Sequence, residues 1–219
     1  MKTQSFSSFL ALVFVFTALV TSGCDSVNLD DSASQLEAQS QRSNPRLSTG
    51  TMYKFADNSE VGTSALRRGA EAIVLDIETT ELEPGYAYTV WWVVFDEPTA
   101  CTDYDCGSDD VAAAMAGGPN LADLSIIGAA DGSVIPASGN ARYRGILEKY
   151  DASLAMFGNG LDNPATAEIH YVIRSHGPAI PGLIKEQTTT FNGGCLEGQA
   201  NEGECANVQF AIHRAAALQ

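Results

Sequence analysis

One stretch constrains the architecture more than any other. Residues Tyr86–Phe95 read YAYTVWWVVF. In an extended chain, successive side chains point to opposite faces. Tyr86, Tyr88, Val90, Trp92 and Val94 then share one face, and Trp91, Val93 and Phe95 share the other. A strand that is apolar on both faces belongs inside a sheet covered on each side. The turn Glu83-Pro84-Gly85 opens it. Pro98 closes it, because proline has no amide hydrogen for a ladder.

The two-residue period recurs in shorter segments. Strands are expected over residues 51–56, 72–78, 121–127, 143–147, 152–157, 167–174, 187–191 and 208–213. In 167–174, Ile169, Tyr171 and Ile173 share a face, with Glu168, His170, Val172 and Arg174 opposite. In 208–213, Val208, Phe210 and Ile212 alternate with Gln209, Ala211 and His213. This reading sets His170 and His213 opposite the main apolar stripes. Residues 111–117 suit one or two helical turns. Many short strands between turn signals predict an all-β fold, an immunoglobulin-like β-sandwich or a barrel, with at most one or two short helices.

Four of the five cysteines form two close pairs, Cys101/Cys106 and Cys195/Cys205. Four cysteines allow three connectivities. Short loops rich in Gly and Asp favour the local disulfides Cys101–Cys106 and Cys195–Cys205. Loops of this size constrain the unfolded chain by roughly 2–3 kcal/mol each. A four-cysteine metal site calls for tighter Cys-x-x-Cys spacing. Disulfides also imply an oxidising compartment.

The N-terminus gives the address. Lys2 is followed by the apolar run 9–20, then Thr21, Ser22, Gly23 and Cys24. A basic start, a short apolar stretch and small residues describe an export signal. The run is too short for a spanning helix, which needs about 20 residues. Ser22-Gly23-Cys24 resembles the bacterial lipobox, which implies Cys24 as the lipid-attachment residue and a new N-terminus. Thr21 departs from the aliphatic residue usual there, and plain secretion is the alternative. The expected organisation is a signal peptide at 1–23, a flexible polar tether at 24–50 and one β-sandwich domain at 51–219. The tether is rich in Ser, Asp, Gln and Asn and buries too little apolar surface to offset its ordering entropy.

With 27 acidic and 12 basic residues the net charge is −15. Such a surface repels nucleic acid and anionic lipid, so no nucleic-acid partner is expected.

A family resemblance appears in the second half. Gly160-Leu161, Ala167-Glu168-Ile169-His170, His176-Gly177-Pro178 and Gly182-Leu183-Ile184 are similar to the chordin-type (CHRD) domain, and the match covers about 25 residues. It implies an extracytoplasmic β-sandwich. In that family a histidine stands where Glu168 is here, and the turn after His170 is longer in this chain. The mature domain also resembles bacterial lipoproteins with a single β-sandwich domain. Neither resemblance implies an activity.

The candidate site residues are few. His170, His176 and His213 would form a zinc or copper site if the last strand lay beside the His170 strand and the three imidazoles converged. Glu168 would then be a further ligand or a base. The alternative is a hydrogen-bonded stripe of Glu168, His170 and Arg174. Asp103, Asp105, Asp109 and Asp110 suggest Ca²⁺ but lack an EF-hand pattern. Trp91 and Trp92 would suit a carbohydrate platform if one faced outward, and read better as core anchors. Arg142, Arg144 and Arg174 are candidates for an anionic group. No Gly-x-Ser-x-Gly elbow, Walker loop or dinucleotide loop is present, so no enzyme activity and no cofactor are expected. The expected function is a membrane-anchored lipoprotein in the cell envelope, on the extracytoplasmic side. It would work as a non-catalytic binding or structural module for a protein or small-molecule partner. The alternative is a zinc or copper protein using the three histidines.

Overall fold

The computed structural model describes residues 46–102 and 106–215, all within the unit Ser40–Gln219. The signal segment, Cys24, tether residues 25–45, Asp103 and Asp105 lie outside the described residues.

The fold is all-β. Its strands are β1 (Arg46–Lys54), β2 (Glu60–Arg68), β3 (Ala72–Thr79), β4 (Tyr86–Phe95), β5 (Leu124–Val134), β6 (Ala141–Glu148), β7 (Ala155–Phe157), β8 (Glu168–Pro178) and β9 (Ala206–His213). Two short helices, α1 (Ser108–Met115) and α2 (Ile184–Gln187), and a 3-10 turn at Pro98–Ala100 interrupt them. The strands form one antiparallel sheet in the order β6-β3-β2-β1-β9-β8-β4-β5-β7. The two faces of the expected sandwich are therefore parts of one curled sheet. Its β6 edge returns against β5, where Tyr143 Oη lies 3.4 Å from Ser133 Oγ and Arg144 donates its amide to Asp131 at 3.0 Å. Gly145 permits this approach, since a Cβ there would stand 2.8 Å from Ala130 and 3.0 Å from the Trp92 ring.

β4 sits where its two apolar faces require, between β8 and β5. Its Val90, Trp92 and Val94 enter the core inside the curl, with Ile73, Leu75, Ile77, Tyr143 and Tyr171. Trp91, Val93 and Phe95 enter a second core on the other face, with Ala114 of α1 and the Cys101–Cys106 disulfide. Both expected disulfides are present, with Cα atoms 5.0 Å apart in Cys101–Cys106 and 5.8 Å apart in Cys195–Cys205.

Two expectations need correction, and one strand, β2, was not expected at all. β1 starts at Arg46, inside the segment read as tether, because residues 46–52 pair with β2 in unbroken register up to a shift between Met52 and Tyr53. β2 gave little periodic signal, since small and charged residues occupy its inward positions Ser64 and Arg68. Residues 187–191 are not a strand. The hydroxyls of Thr188, Thr189 and Thr190 donate back to the carbonyls of Ile184, Lys185 and Glu186, which holds a helical turn instead.

Candidate functional site

The three histidines do not converge. His170 and His176 share one face of β8 but stand six residues apart, about 20 Å along an extended strand. His213 lies on the opposite face, packed edge-on against Tyr171 of the inner core at 5.3 Å. Each ring is also engaged by different partners, so a three-histidine zinc or copper centre is not formed.

His170 donates from Nε2 to Glu168 Oε1 at 2.7 Å and packs on Phe95 at 5.1 Å. Glu168 is fully buried, and its Oε2 has no hydrogen-bond partner among the described residues, although Arg214 Nη1 stands 4.0 Å away. The expected stripe thus exists between Glu168 and His170 but excludes Arg174. That guanidinium stacks on Phe191 at 4.0 Å and donates to the Phe191 carbonyl, Asn192 and Asn207.

His213 faces inward, the reverse of what the β9 pattern suggested. Gln209, Ala211 and His213 are buried, whereas Phe210 turns outward against Tyr53 and Phe55. Polar partners inside the curl explain the reversal. Ser48 Oγ lies 2.8 Å from His213 Nδ1 and Ser64 Oγ 2.9 Å from Nε2. Gln209 Oε1 accepts from Thr79 Oγ1 at 2.6 Å, and its amide donates to the Thr80 carbonyl. Buried Arg68 donates to the carbonyls of His213 and Pro164. Burial pulls the His213 pKa down to about 4, helped by the positive charge of Arg68. At neutral pH this imidazole is uncharged.

His176, also fully buried, ends a chain of donors. Trp91 Nε1 donates to Thr89 Oγ1 at 2.7 Å, and Thr89 Oγ1 lies 2.8 Å from His176 Nε2. His176 Nδ1 is 3.0 Å from the Gly193 carbonyl. A carbonyl only accepts, so Nδ1 carries the proton and Nε2 accepts from Thr89. Burial again lowers the pKa, to about 4. Beside the ring lies the Cys195–Cys205 disulfide, with Cys205 Sγ 3.4 Å from Nδ1. His176, Cys195 and Cys205 are the group of potential metal ligands found among the described residues, their ligand atoms all within 4.8 Å of one another. The histidine list held one member of this group. The signal that could have joined the other two was the crossing of β8 and the 195–205 loop, which sequence spacing does not reveal.

The remaining candidates are structural. Asp110 accepts amide hydrogens from Thr102 and Gly107 and so caps the start of α1. Trp91 and Trp92 are both buried, so neither offers a carbohydrate platform. Trp91 packs edge-on against Phe191 at 5.0 Å and Trp92 against Tyr171 at 5.2 Å. Asp76 accepts from Arg142 through both carboxylate oxygens and from Arg144 at 3.0 Å. This pairing borders an open groove of about 560 Å³ on the outer face of the sheet. Thr49, Thr51, Thr63, Ser64 and Arg67 line it together with the carboxylate of Glu78, 3.3 Å from Arg142. It can offer threonine hydroxyls and the Arg67 guanidinium to a polar ligand, while Arg142 is paired to Asp76 and Glu78.

Comparison with protein families, with curated proteins and with solved structures gives no match.

Proposed function

We propose that this protein is a bacterial lipoprotein of the cell envelope, tethered through Cys24 and carrying a non-catalytic binding module on the extracytoplasmic side. The observation that carries the reading is the division of the cysteines. Four close as two disulfides within the domain, which suits an oxidising space. The fifth, Cys24, follows an apolar run and small residues. Several acyl chains on it would give stable anchoring, since one chain alone binds weakly. A distant relation to the chordin-type domain belongs to the same proposal.

Binding is favoured over catalysis because the buried imidazoles are spent on internal hydrogen bonds. The Thr/Arg groove on the outer face is the accessible polar surface we assign to the ligand. In a bacterial host, the full chain should partition with membranes, and Cys24→Ser should release it to the soluble envelope fraction. Unchanged membrane retention of that variant would sink the lipoprotein reading.

A further inference from the structure

We propose that His176, Cys195 and Cys205 form a redox-gated site for a borderline or soft cation, Zn²⁺ or Cu⁺, which opens when the Cys195–Cys205 disulfide is reduced. The ligand set differs from the three-histidine centre that the structure excludes, and it does not depend on the lipoprotein reading.

Spacing carries the argument. In a tetrahedral zinc site with Zn–S of about 2.3 Å and Zn–N of about 2.0–2.1 Å, neighbouring S and N ligands stand about 3.5 Å apart and two sulfurs about 3.8 Å apart. Cys205 Sγ already lies 3.4 Å from His176 Nδ1. Cys195 Sγ lies within 4.8 Å of the ligating ring nitrogen, and breaking the disulfide frees the two sulfurs to separate to that spacing.

The loop is held without the disulfide. Asn201 Nδ2 donates to the carbonyls of His176 and Pro178, each at 2.7 Å. Gln187 Nε2 donates to the same two carbonyls at 3.2 and 3.0 Å. Both side chains are buried. Asn201 lies in the 195–205 loop, so its two bonds keep that loop against the end of β8 after the S–S bond has gone, while Gln187 ties α2 to the same carbonyls. A preorganised pair of thiols beside an imidazole then remains.

The chemistry balances with a dithiol as reductant. The dithiol supplies two electrons and two protons and closes to its own disulfide, while the S–S bond breaks to two thiols. The cation displaces both thiol protons. The ring proton leaves Nδ1, which frees that nitrogen to ligate, and Nε2 takes one up. Nε2 then donates to Thr89 Oγ1, already 2.8 Å away. A hydrogen-bond acceptor behind a ligating imidazole fixes ring orientation and tautomer in known metal sites. The Gly193 carbonyl, 3.0 Å from Nδ1, loses its donor in the exchange. Two protons are released for each cation bound.

The test uses the full chain carrying Cys24→Ser, which removes the cysteine outside the two pairs. It is reduced with a dithiol, freed of reductant without air, and titrated with Co²⁺ as a spectroscopic probe for Zn²⁺. We expect thiolate-to-cobalt charge-transfer absorption that saturates at one equivalent, and none in the oxidised protein. Cys205→Ser should abolish it, and His176→Gln should weaken binding at least ten-fold. The double variant Cys101→Ser/Cys106→Ser should keep it. Because His176→Gln could impair folding, protection is read independently in the parent chain. Zn²⁺ should shield Cys195 and Cys205, but not Cys101 and Cys106, from alkylation. No charge-transfer band, a band of full strength in Cys205→Ser or in folded His176→Gln, or protection that follows Cys101 and Cys106, would each overturn the site.

Discussion

Ser64 Oγ and His213 Nε2 lie 2.9 Å apart and join β2 to β9 across the intervening β1. The bond compensates for a short seam. β1 and β9 share only the register pairs Tyr53↔Phe210 and Lys54↔Gln209. Farther along, the imidazole fills the space between the two strands. Replacing it by a ring without nitrogen leaves the buried Ser64 hydroxyl without this partner. His213→Phe is therefore expected to lower stability in urea unfolding by about 2–4 kcal/mol, as an orphaned buried polar group costs roughly 1–3 kcal/mol and overpacking adds to that. Unchanged stability would show that the seam does not need the bridge.

Acid should weaken the fold. His176 and His213 are each held at about 4, below the ordinary 6.5, so the unfolded chain takes up their protons first. Their contribution is present above pH 6.5 and is lost as the pH falls toward 4, by about 3 kcal/mol each at most. Asp96 works in the opposite sense. Its pKa is raised to about 6, first by burial and then by the nearby charges of Asp162 and Asp123, so the folded form gains relative stability as the pH drops from 6 toward 3.8. Two groups outweigh one, and the net change is a loss. Asp96→Asn removes the opposing titration, so its stability should fall more steeply between pH 6 and 4 than that of the parent. A shallower profile in denaturant titrations would contradict the balance.

Asn201 and Gln187 donate to the same two carbonyls, those of buried His176 and exposed Pro178, so each can cover for the other. Asn201→Ala or Gln187→Leu alone leaves both carbonyls with a donor, and each should cost about 1 kcal/mol. Together they leave both carbonyls bare. The double variant should lose about 1–3 kcal/mol beyond the sum of the singles, measured as a double-mutant cycle in the oxidised protein. Simple additivity would mean that water replaces the clamp.

Much of the architecture was legible because hydrophobic periodicity reports burial directly. The ten residues of β4 announced a strand covered on both faces, and both disulfides followed from local spacing. The reading failed where polar residues turn inward. β9 shows Val208, Phe210 and Ile212 as its apolar set, yet its core face is Gln209, Ala211 and His213. No count of apolar residues predicts that choice, because partners on β1, β2 and the end of β3 make it acceptable. The histidine cluster failed for the same reason. Spacing along the chain names candidate ligands, but which face of β8 or β9 each takes depends on long-range pairing.

The outer groove can be probed without disturbing the fold. The Arg142 side chain is 54% exposed, and Asp76 keeps Arg144 when Arg142 is removed. Exposed ion pairs contribute 0–1 kcal/mol, so Arg142→Ala should shift stability by less than about 1 kcal/mol. Any ligand identified by thermal-shift screening should bind this variant at least several-fold more weakly. Unaltered affinity would move the ligand surface elsewhere.

The strand order carries a kinetic consequence. The run β6-β3-β2-β1 and the run β8-β4-β5-β7 share a hydrogen-bonded ladder only through β9, which follows all the other described strands in the chain. Until β9 pairs, the two half-sheets touch through their core side chains and the β5–β6 contacts but have no common ladder. A molecule truncated before residue 206 should therefore fail as a whole rather than lose one edge. Joining the two ladders therefore waits on β9, far along the chain from the β1 strand it pairs with.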